Sequence, residues 1–315
     1  MMVIYSHLQY CNHELMHYFS PIFLTTFFFV SGYLFKEGCS FKQVFEQRTR
    51  TLLLPFLIFG GCMIALNQVV TFNEAVPFVD RVKGLLLQDG HNQLLWFIAA
   101  IYVYSLAFYW VERWAGSIKG LFVFACALFI ANVAYTFWLN LPSLPWHITG
   151  TGFGCFYMAM GKVYKECENK IDAWVTMPRL WMALALYILL MFWHTDGISW
   201  TGSEWMLDAV FITGLGIFVN VYLSKKIACL NKNRFLLFVG ANTLFYFAFH
   251  GKVYSLLQTV INKLIVMGGI EHTTLLDFSL GIGITLLDAI ILIPCAMVVN
   301  KYLPWTLGKG FKIWK

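Results

Sequence analysis

Residues suited to acid–base chemistry and anion binding lie close together near the start of this chain. His7 stands in an apolar stretch, beside Tyr5 and Tyr10. An imidazole titrates near neutral pH and can take a proton from a hydroxyl group, and an ionisable side chain within an apolar membrane-type stretch is a candidate functional residue. The alternative is that His7 only sits at a membrane surface, between two tyrosines.

Two arginines, Arg48 and Arg50, follow the next apolar stretch. Guanidinium groups bind phosphate oxygens bidentately, so the pair could hold a phosphorylated ligand, although cationic residues at such a position also anchor a membrane protein. Ser31 and Gly32 end that apolar stretch, and small residues permit close helix approach. Packing around a ligand entrance is favoured for them over catalysis by Ser31.

A second constellation belongs to a different chemistry. His13-Glu14-Leu15-Met16-His17 matches H-E-x-x-H, which on a helix supplies two zinc ligands and a glutamate base. We place this motif in a turn between two apolar stretches, and no third ligand is evident, because Asp208 and Asp288 lack a supporting context. A metalloprotease is therefore an alternative function, and no metal is expected.

The composition is that of an integral membrane protein. Of the 315 residues, 59% are hydrophobic and 12% charged, and the mean hydropathy is +0.68. A soluble domain carries about 25% charged residues. The apolar stretches are continuous rather than alternating, which predicts an all-α bundle and not a β-barrel. The net charge of +6 does not indicate nucleic-acid binding, and the eight cysteines form no C-x-x-C pair.

The distribution of charge predicts the topology. Of the 22 lysines and arginines, 18 fall in alternate connections and in the C-terminal tail. Cationic connections stay on the cytoplasmic side, so about ten transmembrane helices with both termini cytoplasmic are expected. The stretch after His250, from Gly251 to Leu276, is expected to hold a separate interfacial helix. The ten apolar stretches are 1–10, 18–35, 51–71, 94–111, 119–139, 146–164, 180–194, 205–223, 235–250 and 277–299.

Several motifs together resemble the membrane-bound acyltransferase family 3, and in particular its bacterial members that O-acetylate surface sugars. These are His7, the stretch FFFVSGYLF at 27–35, and RTRTLLLP at 48–55. Weaker matches are Leu95-Trp96-Phe97-Ile98, and Asn242-Thr243-Leu244 followed by His250. The specific matches lie between positions 7 and 55.

The resemblance implies ten transmembrane helices and transfer of an acyl group, usually acetyl from acetyl-CoA, to a glycan or glycolipid hydroxyl. In the family motif an arginine precedes the histidine by eleven positions, which here falls before Met1. The first stretch of ten residues also spans only about 15 Å of a roughly 30 Å hydrocarbon core. Both points lead us to expect a first helix shortened at its N-terminus.

We therefore expect one acyltransferase domain over 1–315, in a bacterial inner membrane. His7 is expected to be the catalytic base, and acyl-CoA to be the donor substrate, without a bound cofactor. A polytopic transporter or flippase remains the alternative from composition alone. The acyl-CoA site is assigned to Arg48, Arg50, Ser31 and Gly32, and cavity-lining positions to Trp96, Asn242, Thr243 and His250.

Overall fold

The computed structural model describes residues 1–8, 13–70, 77–88, 95–193, 206–227, 232–269 and 273–309, and every regular element in these ranges is helical. Small parts of the predicted stretches, such as 9–10, lie outside them. The α-helices are α1 Met2–Ser6, α2 His13–Phe19, α3 Thr25–Tyr33, α4 Phe41–Arg48, α5 Leu54–Val70, α6 Phe78–Leu87, α7 Trp96–Ala115, α8 Ile118–Val133, α9 Thr151–Trp174, α10 Met177–Trp193, α11 Met206–Lys226, α12 Arg234–Ala241, α13 Thr243–Gly268 and α14 Thr274–Tyr302.

Three helical segments of the described residues are long and apolar enough to cross a membrane. They are Phe41–Asn67, Ile118–Trp138 and Thr274–Tyr302. A fourth candidate is the pair Pro145–Trp174 and Met177–Trp193, whose two helices are bent by 113°. The prediction of an all-helical membrane protein is confirmed at this level. The count of ten helices and the cytoplasmic termini stay predictions.

The expected single helix over 18–35 is wrong, because the chain breaks it around Pro21. Helix α2 ends at Phe19 and α3 begins at Thr25, with turns between them. Proline cannot donate a helical hydrogen bond and restricts the residue before it. The hydroxyl of Thr25 donates to the Pro21 carbonyl at 2.6 Å and satisfies one of the freed acceptors.

The cationic connection after Gly32 contains a helix rather than only a loop. Ser40 caps α4 through a capping box with Gln43. A π-helical turn, Thr49–Leu53, then joins α4 to α5. Pro55 has no N–H to donate to the carbonyl four residues earlier, and the Leu54 N–H instead bonds five residues back to Thr49. Both arginines therefore lie on helical backbone.

The predicted stretch 235–250 and the expected interfacial helix are divided differently from the prediction. Asn242 interrupts the first of them with φ −115° and ψ 20°, and α13 then runs without a break from Thr243 to Gly268. Tyr254, Leu257 and Ile261 pack in a cluster with α1 and α14. Their apolar face is covered by protein, so this segment is a continuation of α13 and not a separate surface helix.

The buried side chains form two main clusters, and the site lies where these meet. The larger cluster joins α3, α7, α8 and α9, and contains Phe28, Tyr104 and Phe153. A second cluster joins α1, α5, α12, α13 and α14. Apolar burial stabilises each cluster separately. The seam between them is the place in the described chain where a cavity opens beside His250.

Candidate active site

His7 and His250 lie side by side. His7 ends α1, where its backbone N–H donates to the Ile4 carbonyl, and its side chain is exposed. His250 is buried on α13, and the centroids of the two rings are 5.3 Å apart with the planes tilted by 37°. The prediction that His250 shares a site with His7 agrees with this geometry. An exposed imidazole over a buried one can exchange protons with a ligand that arrives from outside.

A cavity of about 370 Å³ extends from this histidine pair into the bundle. Thr243 and His250 both line it, seven residues apart on one face of α13, a rise of about 10 Å. Leu52 lines it as well. Apart from a few polar groups the wall is apolar, and its volume lies in the range of small-molecule sites. The lining residues are Met1, Val3, Ile4, Phe27, Leu52, Phe97, Ile98, Ile101, Leu236, Val239, Gly240, Thr243, Leu244, Tyr246, Phe247 and His250.

The arginine pair lies close to one end of this cavity. Arg48 ends α4 and Arg50 lies in the π-helical turn, two residues before Leu52, and both side chains are half-buried. The hydroxyls of Thr49 and Tyr102 are 3.1 Å apart and hold the turn against α7. The Arg50 carbonyl lies against Gly308, where φ is +70° and a Cβ would lie 2.4 Å from the carbonyl oxygen. The C-terminal segment therefore fixes the backbone that carries Arg50.

Ser31 and Gly32 lie in the contact between α3 and α9. A Cβ at Gly32 would be 1.9 Å from the carbonyl oxygen of Met158, and a Cβ at Gly161 would be 1.9 Å from that of Phe29. Glycine permits this backbone approach. Gly32 is buried and Ser31 half-buried. The geometry therefore fits the packing interpretation of these two residues, and their part in acyl-CoA binding stays a prediction.

Two of the predicted lining residues are not among those that line this cavity. Trp96 lies at the start of α7 with its ring centroid 5.1 Å from that of His147. Asn242 is buried, donates to the Phe238 carbonyl at 2.9 Å, and accepts a hydrogen bond from Asn300. Its side chain holds the junction of α12 and α13 to α14. Of the four predicted lining residues, the structure thus places Thr243 and His250 at the cavity.

The H-E-x-x-H motif lies in helix α2, and the expected turn at this position is wrong. The side chains of His13 and Glu14 lie outside the described residues. His17 places Nε2 at 2.6 Å from the Met191 carbonyl oxygen, so this nitrogen carries a proton and is occupied by a backbone bond. Within the described part of the chain, no group of three His, Cys, Asp or Glu side chains is arranged to hold a metal ion.

Charged residues that sequence reasoning treated only as topology signals hold the bundle together. Lys162 is 4% exposed and pairs with Glu37 at 2.5 Å and with Glu112 at 3.1 Å. The Lys162 ammonium, by hydrogen bonding and then by charge attraction, holds the pKa of the Glu37 carboxyl below its ordinary value. Lys225 likewise binds Glu168, whose other carboxylate oxygen accepts from Tyr33 at 2.7 Å. These contacts connect α3, α7, α9 and α11.

Asp288 is a buried carboxylate that sequence reasoning passed over. It is 0% exposed on α14, and in the described chain neither of its oxygens has a hydrogen-bond partner. Intramembrane ionisable residues are costly and usually functional. Its position in an apolar, proline-containing helix, without a motif around it, gave no signal in the sequence.

Comparison with known proteins gives one family. The model described as an acyltransferase domain, acyltransferase family 3, matches residues 1–299 of the 315. Neither the comparison with curated proteins nor that with solved structures gives a match. The match includes His7, His250 and both arginines, and it makes the chain an enzyme, in place of the transporter and metalloprotease alternatives. With this coverage of its length, the chain belongs to acyltransferase family 3.

Proposed function

We propose that this protein transfers an acyl group, in the simplest case acetyl, from cytoplasmic acyl-CoA to a hydroxyl of a cell-surface glycan or lipid-linked sugar. It does so as a single domain in a bacterial cytoplasmic membrane. The cavity is the observation that carries the proposal. Its lining includes Leu52, just beyond Arg50, as well as His250 beside His7. A phosphate-binding segment and a general base are thus joined by one space.

Arg48 and Arg50 are the residues proposed to hold the CoA phosphates. Their half-buried guanidinium groups, on backbone fixed by the Thr49–Tyr102 contact, suit a dianionic group better than flexible lysines would. The excess of basic residues in the same connection places this end towards the cytoplasm, where CoA is found. Ser31 and Gly32 shape the entrance through the close α3–α9 contact.

His7 then acts as the base. Its exposed ring takes the proton of the acceptor hydroxyl while the oxygen attacks the acyl carbonyl carbon. The carbon–sulfur bond breaks, CoA leaves as a thiolate, and the proton on His7 is returned to solvent or to that thiolate. General base catalysis of this kind contributes about 10²–10⁴-fold. The exposure of His7 supports its assignment, because the charge formed on its ring remains near water.

The test is His7→Ala in cells, with the O-acetyl content of surface glycans measured by mass spectrometry. We expect acetylation to fall by at least about a hundredfold, since the general base is lost. His147→Asn is the matched control, because His147 has φ +55°, a backbone conformation that asparagine tolerates. Wild-type acetylation by a normally inserted His7→Ala protein would show that His7 is not the base.

A further inference from the structure

The backbone of α13 determines which ring nitrogen of His250 carries the proton. Nδ1 lies 3.0 Å from the carbonyl oxygens of both Tyr246 and Phe247. Carbonyl oxygens only accept hydrogen bonds, so Nδ1 is the protonated nitrogen. In the neutral ring the lone pair is then on Nε2, and no hydrogen bond to Nε2 is present among the described residues. His250 is therefore held as a fixed hydrogen-bond acceptor.

His7 is the group in reach of that acceptor. Two imidazoles joined by an N–H···N bond of ordinary length have ring centroids about 5 Å apart, and the observed separation is 5.3 Å. The exposed His7 ring needs only a small side-chain rotation to donate to Nε2. The ring of Tyr254 is 6.2 Å from that of His250, on the same helix.

We propose that His250 is a positioning residue for His7, an inference that rests on the proposed function. Nε2 of His250 accepts the N–H of His7, which leaves the other nitrogen of His7 unprotonated and directed at the acceptor hydroxyl. Backbone carbonyls, His250 and His7 thus form one chain of hydrogen bonds with a single polarity. The positive charge develops on the exposed ring, and the buried ring stays neutral. His250 does for His7 what a carboxylate does for the histidine of a catalytic triad.

Two amide substitutions separate this role from a structural one. In His250→Asn the amide nitrogen takes the place of Nδ1 and keeps a carbonyl bond, but nothing reaches His7. In His250→Gln the amide oxygen can occupy the place of Nε2 and accept from His7. The positioning role predicts that kcat falls about tenfold to a hundredfold in the Asn variant and is largely kept in the Gln variant, with KM for acetyl-CoA unchanged in both. A structural role predicts the reverse order.

The measurement uses inverted membrane vesicles that contain the full chain, supplied with radiolabelled acetyl-CoA, and follows label into the glycan fraction. Tyr254→Phe is the control and should transfer at the wild-type rate. A wild-type rate for the Asn variant, or equal losses for Asn and Gln, would overturn the positioning role while a dead His7→Ala variant kept the proposed function intact. Wild-type vesicles that transfer no acetyl group would overturn both.

Discussion

The two sides of this molecule are packed in opposite ways. On the packed side, formed by α3 and α9, a Cβ at Gly161 would lie 1.9 Å from the Phe29 carbonyl oxygen. On the cavity side, formed by α1, α12 and α13, a Cβ at Gly240 would meet nothing within 4 Å. The two glycines therefore have different meanings. The packed side supplies a rigid wall, and the cavity side supplies space for a ligand, so equal substitutions should affect stability on one side and activity on the other.

The largest effect is expected for Gly161→Ala on the packed side. The added Cβ forces α3 away from α9, and such overpacking costs about 3 kcal/mol or more when backbone has to move. Thermal unfolding in detergent should show a strongly lowered Tm or no folded protein. Gly240→Ala, at an open helical position, is the matched control and should be neutral or stabilising by up to about 1 kcal/mol. Equal losses in the two variants would remove the distinction between the sides.

A smaller loss is expected for Lys162→Met. It leaves Glu37 and Glu112 without their shared cation, and we estimate about 2 kcal/mol because Glu37 is largely exposed and water screens it. Lys165→Met, at an exposed position on the same helix, should change Tm little. Guanidine-free thermal unfolding of both proteins in the same detergent makes the comparison. An unchanged Tm for Lys162→Met would show that the ion pairs do not stabilise the packed side.

Filling the cavity should reduce activity without harming the fold. Gly240→Leu places a side chain in the space beside Val239 and Thr243, and we expect acetyl transfer to fall on the order of tenfold because the acyl donor is displaced. Tm should stay at or above the wild-type value. Transfer of radiolabelled acetyl to the glycan fraction measures the loss. A fully active Gly240→Leu protein would mean that the substrate does not use this cavity.

The smallest effect is a dependence of stability on pH. The folded pKa of Glu37 lies below its ordinary value of 4.5, so its contribution is complete above that pH and is lost as the pH falls through the folded pKa. Since Glu37 is 63% exposed, the contribution is under about 1 kcal/mol. Glu37→Gln should flatten this part of a Tm–pH curve. An identical acid slope in both proteins would assign the loss to other groups.

Helix content and membrane character could be predicted from the sequence because they depend on long apolar stretches, which local composition already determines. The break after Phe19 was missed because the apolar stretch 18–35 outweighed the signal of Pro21. The covered face of Tyr254 was missed because a helical repeat of apolar residues looks the same against lipid and against protein. In both cases the neighbouring helices decided the outcome.

The site was predicted in part for a similar reason. His7, His250 and Thr243 could be named from residue type and motif, and the structure brings them to one cavity. The hydrogen bonds that orient His250 depend on the backbone around Tyr246 and could not be read from spacing. Trp96 and Asn242 carry the same kinds of side chain as true lining residues, but helix rotation directs them elsewhere.

The π-helical turn at Thr49–Leu53 has a consequence for how this chain can change in length. One residue more or less in a surface loop is absorbed locally. A deletion inside this turn would convert it to ordinary α-helix and rotate all of α5 by about 100° relative to α4. Leu52 would leave the cavity wall, and the contact of Arg50 with Gly308 would be lost. The segment that carries the two arginines should therefore tolerate substitutions far better than insertions or deletions.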